Sequence, residues 1–501
     1  MDSAFSHPIL TCAAAAAWER SLLADEEAEW TAMQRAGAAI AHAVREDFRE
    51  IGGLPDGARL LVLVGKGHNG GDALLAAQAI LAALPRAAAE IVPGFGIAAL
   101  RPLARRSLEA LVASAPGRTR VVEGGSLRNG QGTYSVCLDG LFGFQFRPPV
   151  AAATAALLEA VNAHPSIRLR AAVDLPSGLG DANRAAVFRA DFTYATGIMK
   201  TPVVAVENAP WVGRIRYLDL GFFSRASDAP GAADRVLLPS ILTPLAGLRP
   251  AQTDKRTYGH LLVVGGSASY PGAVLMTVQA ALRSGVGLLT ACAPASLVPE
   301  YAARFPEAMW VGWPESADGG LGRDAIDLIA DRMARGTAMV IGPGLGAAPE
   351  TLAAVCEIVR RGVVPLVLDA DALRPEVLTA AGNRPVICTP HAGEMKRIGA
   401  SPAPNRILVR KGSPTRIEDA RTVYHSFFGG PVLARGGSGD LLAGIIGGLL
   451  ARDAGNLLLA AARGVVWHGR AADLLARERG QVAVQTTQLL DFLQPALNAA
   501  P

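Results

Sequence analysis

The 501-residue sequence contains few cysteines, and nothing in their spacing suggests a function. The five residues, Cys12, Cys137, Cys292, Cys356 and Cys388, are scattered in apolar contexts and form no CxxC pair. A disulfide framework or a zinc site is therefore not expected, and buried free thiols are the default for such residues.

Long apolar runs are also missing, although half of the residues are hydrophobic. A membrane helix needs ~20 consecutive apolar residues, and the longest candidate, residues 441–450, is shorter and interrupted by glycine. The N-terminus carries Asp2 and has no basic region before its alanine run, so no secretory signal is expected. These absences predict a soluble cytoplasmic protein with no membrane partner.

Charge is sparse, and lysine is rarer still. Only 18% of residues are charged, the net charge is +4, and no basic block stands out, so no nucleic-acid partner is expected. Five of the 48 basic residues are lysine. Because arginine replaces lysine almost everywhere, a remaining lysine indicates a place where a compact ammonium is needed. We therefore take Lys66, Lys200, Lys255 and Lys411 as site candidates, and Lys396 as an ordinary helix residue.

The chain is too long for one core and alternates apolar strands with helical patterns. This rhythm predicts an α/β protein with two domains, of which the first is a Rossmann-like α/β/α sandwich. We place the first domain at residues 1–223 and the second at 251–501. Residues 224–250, rich in Ala, Pro, Ser and Asp, are interpreted as a linker.

In the first half, three predicted strands end in polar side chains. The strand 60–64 enters a glycine loop from Gly65 to Asp72, and later strands end at Asp139 and at Asp174. An open α/β sheet binds its ligands at these carboxyl ends. The oxygens of Asn69, Asp139 and Ser177 could hold an oxygen-loving cation. Taken singly, such aspartates are as often turn formers.

In the second half, a series of strands delivers glycine or polar clusters at their carboxyl ends. The predicted strands are 261–264, 339–341, 365–368, 386–388 and 407–409. Such a constellation is typical of a nucleotide-using enzyme.

The stretch from Arg435 to Gly444 reads Arg-Gly-Gly-Ser-Gly-Asp-Leu-Leu-Ala-Gly and opens an apolar helix. Glycines before a helix start form a site for an anion. A carboxylate repels phosphates, so Asp440 is better explained as a base that takes a proton from a hydroxyl undergoing phosphorylation. The alternative is a helix cap.

Together these motifs resemble a known family over nearly the whole chain. The combination includes Gly342-Pro-Gly-Leu-Gly346, Asp369-Ala-Asp371, Thr389-Pro-His391-Ala-Gly-Glu394, Lys411-Gly412 and Gly437-Ser-Gly-Asp440. The sequence resembles the bifunctional NAD(P)HX repair proteins, in which an epimerase domain precedes an ADP/ATP-dependent NAD(P)HX dehydratase domain of the ribokinase-like superfamily. NAD(P)HX is NAD(P)H hydrated at C6 of the nicotinamide ring.

For the second domain, the resemblance implies a ribokinase-like α/β/α fold that dehydrates (S)-NAD(P)HX with ADP or ATP and Mg²⁺; we favour ADP. Asp440 would deprotonate the added hydroxyl, which then leaves as phosphate. The implied nucleotide-binding residues are Lys411, Gly412, Ser413, Pro414, Thr415, Gly437, Ser438 and Gly439. The implied substrate contacts are Ala273, Gly346, His391 and Asp440.

For the first domain, the resemblance implies exchange of the R and S hydrates, with Asp174 handling the proton. The implied K⁺ ligands are Asn69, Asp139 and Ser177. The implied substrate contacts are His68, Asn69, Gly70, Gly71, Asp72, Gly143 and Asp174. A homo-oligomer is expected.

The sequence also departs from the family pattern. His68 replaces a usual asparagine, and Phe144-Gln145 replaces Thr-Gly, so epimerisation could be impaired. Arg256 and Arg435 replace smaller residues and could alter nucleotide preference. Two alternatives stay open: a ribokinase-like small-molecule kinase with a stable phosphoester product, and a non-catalytic dinucleotide-binding protein.

Overall fold

The computed structural model describes residues 3–122, 132–181, 186–224, 231–323 and 326–498. The chain forms two compact units, composed mainly of His7–Ala232 and Ala233–Ala476. No helix in these described ranges is both long and apolar enough to span a membrane.

The N-terminal unit is a parallel sheet between helices. Its strands are β1 (Ser6–Leu10), β2 (Arg59–Val64), β3 (Ala88–Pro93), β4 (Thr119–Val121), β5 (Tyr134–Gly140), β6 (Ile167–Val173), β7 (Phe192–Thr196), β8 (Met199–Lys200) and β9 (Arg214–Leu218). Its helices are α1 (Cys12–Leu22), α2 (Glu26–Phe48), α3 (His68–Ala83), α4 (Pro102–Ser114), α5 (Ala152–Ala163), α6 (Thr201–Val204) and α7 (Ala209–Val212). Seven of these strands form the sheet, in the order β4–β3–β2–β5–β6–β7–β9, and β1 pairs in parallel with β8 outside it.

The sequence of β2 explains why helices cover both faces of this sheet. Leu60, Val62 and Val64 belong to one buried apolar cluster, whereas Leu61 and Leu63 belong to another. Side chains alternate across a strand, so a continuous apolar run needs a packed layer on each side. The expected α/β/α sandwich is confirmed.

The C-terminal unit repeats this plan with a larger sheet. Its strands are β10 (Asp234–Leu237), β11 (His260–Val264), β12 (Leu288–Pro294), β13 (Met309–Trp313), β14 (Ala338–Ile341), β15 (Leu366–Leu368), β16 (Val386–Cys388), β17 (Arg406–Arg410), β18 (Thr415–Glu418) and β19 (Val423–Ser426). Its helices are α8 (Thr243–Ala246), α9 (Pro271–Arg283), α10 (Val298–Arg304), α11 (Asp327–Arg335), α12 (Pro349–Arg361), α13 (Pro375–Ala381), α14 (Ala392–Ile398), α15 (Ser438–Arg452), α16 (Leu457–Arg479) and α17 (Leu493–Asn498).

Strand order places the loops of this unit at one edge. The order is β13–β12–β11–β14–β15–β16–β17–β18–β19–β10. The pairings from β13 to β17 are parallel, and β18 is antiparallel to both of its neighbours. The carboxyl ends of five consecutive parallel strands, β11 and β14 to β17, therefore meet at one side of the sheet.

Helix α15 is the central helix of the C-terminal unit. Its residues from Leu441 to Ala451 are all buried, because glycines allow close packing against α9. A Cβ at Gly444 would lie 2.2 Å from the carbonyl oxygen of Thr277, and one at Gly448 would lie 1.9 Å from Oγ of Ser284. The helix is thus held rigidly, with Asp440 in its first turn.

The stretch 224–250 is not simply a linker. Within it, β10 pairs in parallel with β19, and Val236, Leu237, Ile241 and Leu242 are buried. The linker interpretation is wrong for residues 234–246, because their apolar side chains join the core of the C-terminal unit. Residues 225–230 lie outside the described residues.

Candidate functional site

The glycine loop before α15 lies against residues that follow β15 and β17. A Cβ at Gly439 would be 3.2 Å from Nζ of Lys411 and 3.8 Å from Oδ2 of Asp369. Gly437 has a φ of 89°, and a Cβ there would be 2.4 Å from Sδ of Met276. The left-handed backbone at Gly437 requires glycine, and the helix start with its free N–H groups lies beside a lysine.

Lys411 is held by carboxylates on one side of this loop. Its ammonium donates to Oδ1 of Asp369 at 2.9 Å and lies 3.6 Å from Oε2 of Glu394. The hydroxyl of Thr389 also donates to Asp369, at 2.6 Å. Burial disfavours the charged ammonium, but Asp369 and Glu394 outweigh it, and the pKa of Lys411 is raised. Lys411 is therefore a fixed cation at the mouth of the glycine loop.

Asp440 belongs to the same cluster, and the pKa of its carboxyl is shifted towards neutral pH. Burial, helped by the charge of Asp369, raises its pKa from 3.8 to about 7, although Lys411 lowers it. A base whose pKa lies near the working pH transfers protons most effectively. The N-cap of α15 is Gly437, not Asp440, so capping does not explain this environment. The role of Asp440 in proton transfer stays a prediction.

Ala273 and Gly346 lie close to this cluster. The carbonyl oxygens of Ala273 and Asp440 both accept from the hydroxyl of Thr277, at 3.1 and 3.2 Å. The backbone N–H of Gly346 donates to Oδ2 of Asp371 at 2.9 Å, and Asp371 is one of the charges that raise the pKa of Asp440. The structure thus brings together residues that are distant in sequence.

Ser267 was missed by sequence reasoning. Its Oγ is buried without a hydrogen-bond partner, and a Cβ at Gly346 would lie 3.8 Å away. A buried hydroxyl without a partner costs free energy unless a ligand satisfies it. Ser267 is therefore a further candidate for contact with substrate.

His391 reaches the same cluster through Glu394. Nδ1 of His391 caps α14 by accepting from the N–H groups of Gly393 and Glu394, at 2.9 and 3.3 Å. Oε2 of Glu394 accepts from the backbone N–H of His391 at 2.8 Å and lies beside Lys411. The imidazole is exposed, so it stays available to a ligand.

The segment after Lys411 forms the turn between β17 and β18. The hydroxyl of Thr415 donates to the carbonyl of Gly412 at 3.1 Å. Gly412 and Ser413 are exposed, whereas Pro414 and Thr415 are partly covered. The segment is accessible and adjoins the cluster at Lys411.

Arg435 and Arg256 lie elsewhere than the sequence suggested. The guanidinium of Arg435 donates to the carbonyls of Val484, Gln481 and Val482, so it anchors the glycine loop to the chain. Arg256 lies in a short 3₁₀ helix whose neighbouring Tyr258 contacts Arg452, at the far end of α15. An effect of either side chain on nucleotide preference stays a prediction.

His468, in α16, is a second residue that sequence reasoning missed. Its ring is buried, is hydrogen-bonded to the backbone of Ser438, and has an Nε2 with no partner. Burial lowers its pKa from 6.5 to about 4. The only sequence signal is a lone imidazole in the apolar run Val465-Val-Trp-His468, which is more often a core residue.

Protonation of His468 is expected to loosen the glycine loop. Because the folded-state pKa lies below the unfolded value, the unfolded chain binds more protons below pH 6.5, and stability falls as pH drops towards 4. The full linkage is worth ~3 kcal/mol. Chemical denaturation at several pH values should show this acid loss in the wild type and a smaller one in His468→Leu. Equal acid sensitivity would contradict this assignment.

In the N-terminal unit, the residues from His68 to Asp72 open α3 rather than forming a loop. The exposed ring of His68 faces Glu29, with Nε2 3.3 Å from Oε2. Gly70 and Gly71 are buried, and Cβ atoms there would lie 2.5 Å from the carbonyl oxygen of Gly65 and 2.2 Å from Cε of Met33. These glycines are explained by close packing.

Asp174 directly follows β6 in a left-handed conformation, with a φ of 67°. Its Oδ1 accepts from the ammonium of Lys200 at 2.5 Å and from the hydroxyl of Thr196 at 3.2 Å. Lys200 is fully buried, and its Nζ lies 4.9 Å from the ring centroid of Phe144. A strained, buried ion pair at a strand end is typical of a functional site.

Two further carboxylates surround this ion pair. Burial, with Asp174 and Glu19 adding repulsion, raises the pKa of Asp72 well above 3.8, and its buried Oδ1 has no hydrogen-bond partner. Burial also raises the pKa of Glu19 to about 7, with Asp174 adding to it and Lys200 opposing it. Sequence reasoning missed Glu19, because nothing in α1 indicates that it approaches residues 72 and 174.

Asn69, Asp139 and Ser177 meet at the loop after β5. Asp139 accepts from the hydroxyl and N–H of Ser177 at 2.7 and 2.8 Å, and Asn69 donates to the carbonyl of Phe142 at 2.8 Å. Gly143 is adjacent, since a Cβ there would be 3.4 Å from Cβ of Asn69. Burial raises the pKa of Asp139 to about 6, and within the described residues no basic side chain pairs with it. This oxygen set fits a monovalent cation.

Two family models match the chain. One, described as YjeF-related protein N-terminus, matches residues 30–202, and the other, described as NAD(P)H-hydrate dehydratase, matches residues 261–495. A bifunctional NAD(P)H-hydrate repair enzyme of Gloeobacter violaceus is 36% identical over 498 residues, covering 93% of each chain. The chain belongs to the family of bifunctional NAD(P)H-hydrate repair enzymes.

Two further relatives support the same family assignment. The enzyme of Moorella thermoacetica is 34% identical over 499 residues, covering 92% of this chain and 91% of its own. An ADP-dependent (S)-NAD(P)H-hydrate dehydratase of Xanthomonas campestris is 37% identical over 268 residues, covering 50% of this chain and 91% of its own. The resemblance inferred from the motifs is confirmed.

Proposed function

We propose that the protein repairs hydrated NADH and NADPH, with a nucleotide-dependent dehydratase in the C-terminal unit and an epimerase in the N-terminal unit. One observation carries the dehydratase assignment: a carboxylate with a pKa of about 7 stands in the first turn of α15, beside a glycine loop and a fixed lysine. This arrangement suits proton removal from a hydroxyl that attacks a phosphoryl group.

In the proposed reaction, Asp440 takes the proton of the C6 hydroxyl as its oxygen bonds to the terminal phosphorus of ADP. The phosphorus–oxygen bond to the leaving AMP breaks. The backbone N–H groups of residues 437–439, together with Lys411, stabilise the charge on the transferring group. Phosphate then leaves C6, a proton leaves C5, and the ring double bond re-forms.

We propose that the nucleotide binds across the loop before α15 and the turn from Lys411 to Thr415. ADP is favoured over ATP because of the ADP-dependent relative from Xanthomonas campestris. The described residues contain no cluster of three or more His, Cys, Asp or Glu side chains suited to a metal. Mg²⁺ would therefore be held mainly by the phosphates, with one or two carboxylates such as Asp371, and would neutralise phosphate charge.

In the N-terminal unit, Asp174 is the proposed proton-handling group at C6. Lys200 holds its carboxylate in place through the ion pair, while burial favours the protonated forms of Asp72 and Glu19, whose protons a substrate can exchange. K⁺ would be held by Asn69, Asp139 and Ser177 and would fix the loop around Gly143. The ring of Phe144 takes up space beside Lys200 in this site. Impaired epimerisation would originate from this ring.

The test is incubation of the protein with hydrated NADH and either ADP or ATP, with both epimers separated over time. We expect AMP formation and recovery of reduced-nicotinamide absorbance with ADP, and loss of both epimers. A stable phosphorylated product without that absorbance would favour a kinase. Consumption of the S epimer alone would contradict the epimerase assignment for the N-terminal unit.

Lys411→Arg should weaken nucleotide use although it keeps the charge. The longer, planar guanidinium cannot occupy the space between Gly439, Asp369 and Glu394. A rise in the KM for ADP of about tenfold is expected, equal to ~1.4 kcal/mol. Lys396→Arg, on the exposed face of α14, is the matched control and should leave KM unchanged. Equal effects of the two substitutions would contradict a nucleotide role for Lys411.

A further inference from the structure

A cavity in the C-terminal unit lies away from the catalytic loops. Its volume is about 200 Å³, and it opens beside the C-terminus of α15. Its polar lining comes from Arg452, Arg463, Asp453, Tyr258 and Thr257, and leucines complete its apolar wall. Arg452 lies twelve residues after Asp440, which separates them by ~18 Å along a helix. The cavity is therefore distinct from the proposed nucleotide site.

Two arginines, Arg452 and Arg463, line this cavity, and an exposed third, Arg249, lies next to its Tyr258. Arg249 lies over the ring of Tyr258, with Cζ 4.0 Å from the centroid, and Arg452 approaches the same ring at 5.7 Å. Both guanidinium groups lie beside Gly285, where a Cβ would be 2.4 Å from one nitrogen of Arg249 and 3.8 Å from one of Arg452, and Arg249 donates to the Gly285 carbonyl at 3.2 Å. Arg463 approaches from α16 and donates to the carbonyl of Ile241 at 3.1 Å.

These positive charges have little to neutralise them. Asp453 is the one carboxylate among the lining residues, and it forms no ion pair with a described arginine. Arg452 forms no hydrogen bond or ion pair with any described residue. Burial, reinforced by Arg249 and Arg463, lowers its pKa. Arg435, which has a structural role in this unit, differs from Arg452 in its hydrogen bonding, because it donates to three carbonyl oxygens.

A basic residue at a helix C-terminus can serve the helix dipole alone. That explanation accounts for one exposed charge, but not for two arginines that line the same cavity with a third beside it. Like charges held close together are destabilising, and Arg452, which has no hydrogen-bond or ion-pair partner among the described residues, is placed to receive an anion.

We propose that this cavity binds a small organic phosphate. The forked guanidinium groups of Arg452 and Arg463 match phosphate oxygens in a bidentate way. The ring of Tyr258, together with Leu245 and Leu449, would cover the organic part of the ligand. A volume of about 200 Å³ excludes a whole dinucleotide, so the ligand is smaller than the substrate of the catalytic site.

The test uses the full chain with two probes, inorganic phosphate and phenyl phosphate, at constant ionic strength in chloride. Thermal shift and calorimetric titration are compared between the wild type and Arg452→Gln. Arg335→Gln is the matched control, because Arg335 also ends a helix, α11, and is exposed. Phosphate binding at the nucleotide loop is common to all three proteins, so the difference between them reports the cavity.

We expect Arg452→Gln to weaken the saturable binding of phenyl phosphate by at least about tenfold, since a charged hydrogen bond is lost. The ligand-free variant should melt no lower than the wild type, and its KM for ADP should be unchanged. Arg335→Gln should bind both probes as the wild type does. Unchanged phenyl phosphate affinity in Arg452→Gln would overturn the proposal.

If Arg452→Gln folds poorly, Arg452→Lys keeps the charge and removes only the fork. The proposal then requires weaker phosphate binding in this variant with normal melting. Equal affinity in the lysine variant and the wild type would overturn it.

Discussion

Replacing Asp440 by asparagine is expected to lower kcat for dehydration by about 10²–10⁴-fold. The amide fills the same space but cannot accept the hydroxyl proton. ADP should bind at least as tightly as to the wild type, because a carboxylate no longer faces the phosphates. The rate of recovery of reduced-nicotinamide absorbance gives kcat, and calorimetry gives the affinity for ADP.

The pH dependence of kcat/KM distinguishes the loss of this base in Asp440→Asn from a general disturbance of the fold. Since burial raises the pKa of Asp440 to about 7, the ionised base forms as pH rises through neutrality, and wild-type kcat/KM should rise with it. Asp440→Asn should lack this acid limb. Wild-type turnover in the variant, or an unchanged acid limb, would contradict the role assigned to Asp440.

Lys200→Met should be the most damaging single change in the N-terminal unit. It removes the charged partner of the buried Asp174 carboxylate, and the expected loss of unfolding free energy is ~3–5 kcal/mol. Asp174→Asn should cost less stability, because Asp72 and Glu19 can ionise and take over the ammonium. Urea unfolding of the full chain measures both values.

The two variants should nevertheless be alike in losing epimerisation. Asp174→Asn removes the proton carrier and should slow exchange of the R and S hydrates by about 10²–10⁴-fold, while dehydration of the S epimer continues. Equal destabilisation by Asp174→Asn and Lys200→Met would show that Asp72 and Glu19 do not replace Asp174 as partners of the Lys200 ammonium. If exchange persisted in Asp174→Asn, the proton would be handled elsewhere.

Much of the site could be predicted because strand ends and glycine loops leave local signals. Asp440 follows a glycine loop and Lys411 precedes a turn, and both signals are visible in the sequence. The parallel strand order brings the two loops together. Two of the four lysines singled out by the scarcity of lysine, Lys200 and Lys411, each form an ion pair with an acidic side chain; their site roles stay predictions. The bounds of the first domain, residues 1–223, stay a prediction, whereas the second domain begins earlier than residue 251, because residues 234–246 join its core.

The remainder depends on packing between distant segments. Glu19 and His468 become important only because burial shifts their pKa values, and burial is not encoded locally. The partners of Arg435 could not be foreseen for the same reason, since they lie 46 or more residues further on. The strand β10 sits in a stretch with the composition of a linker, and its pairing with β19 decides its conformation. Tertiary contacts, not propensity, fix these elements.

The most direct measurement follows the oxygen atom itself. Hydrated NADH carrying ¹⁸O at its C6 hydroxyl is given to the protein with unlabelled ADP, and the released phosphate is analysed by mass spectrometry. If that hydroxyl attacks phosphorus and leaves as phosphate, each dehydration should yield one phosphate bearing ¹⁸O. Unlabelled phosphate, with ¹⁸O recovered in water, would contradict the account.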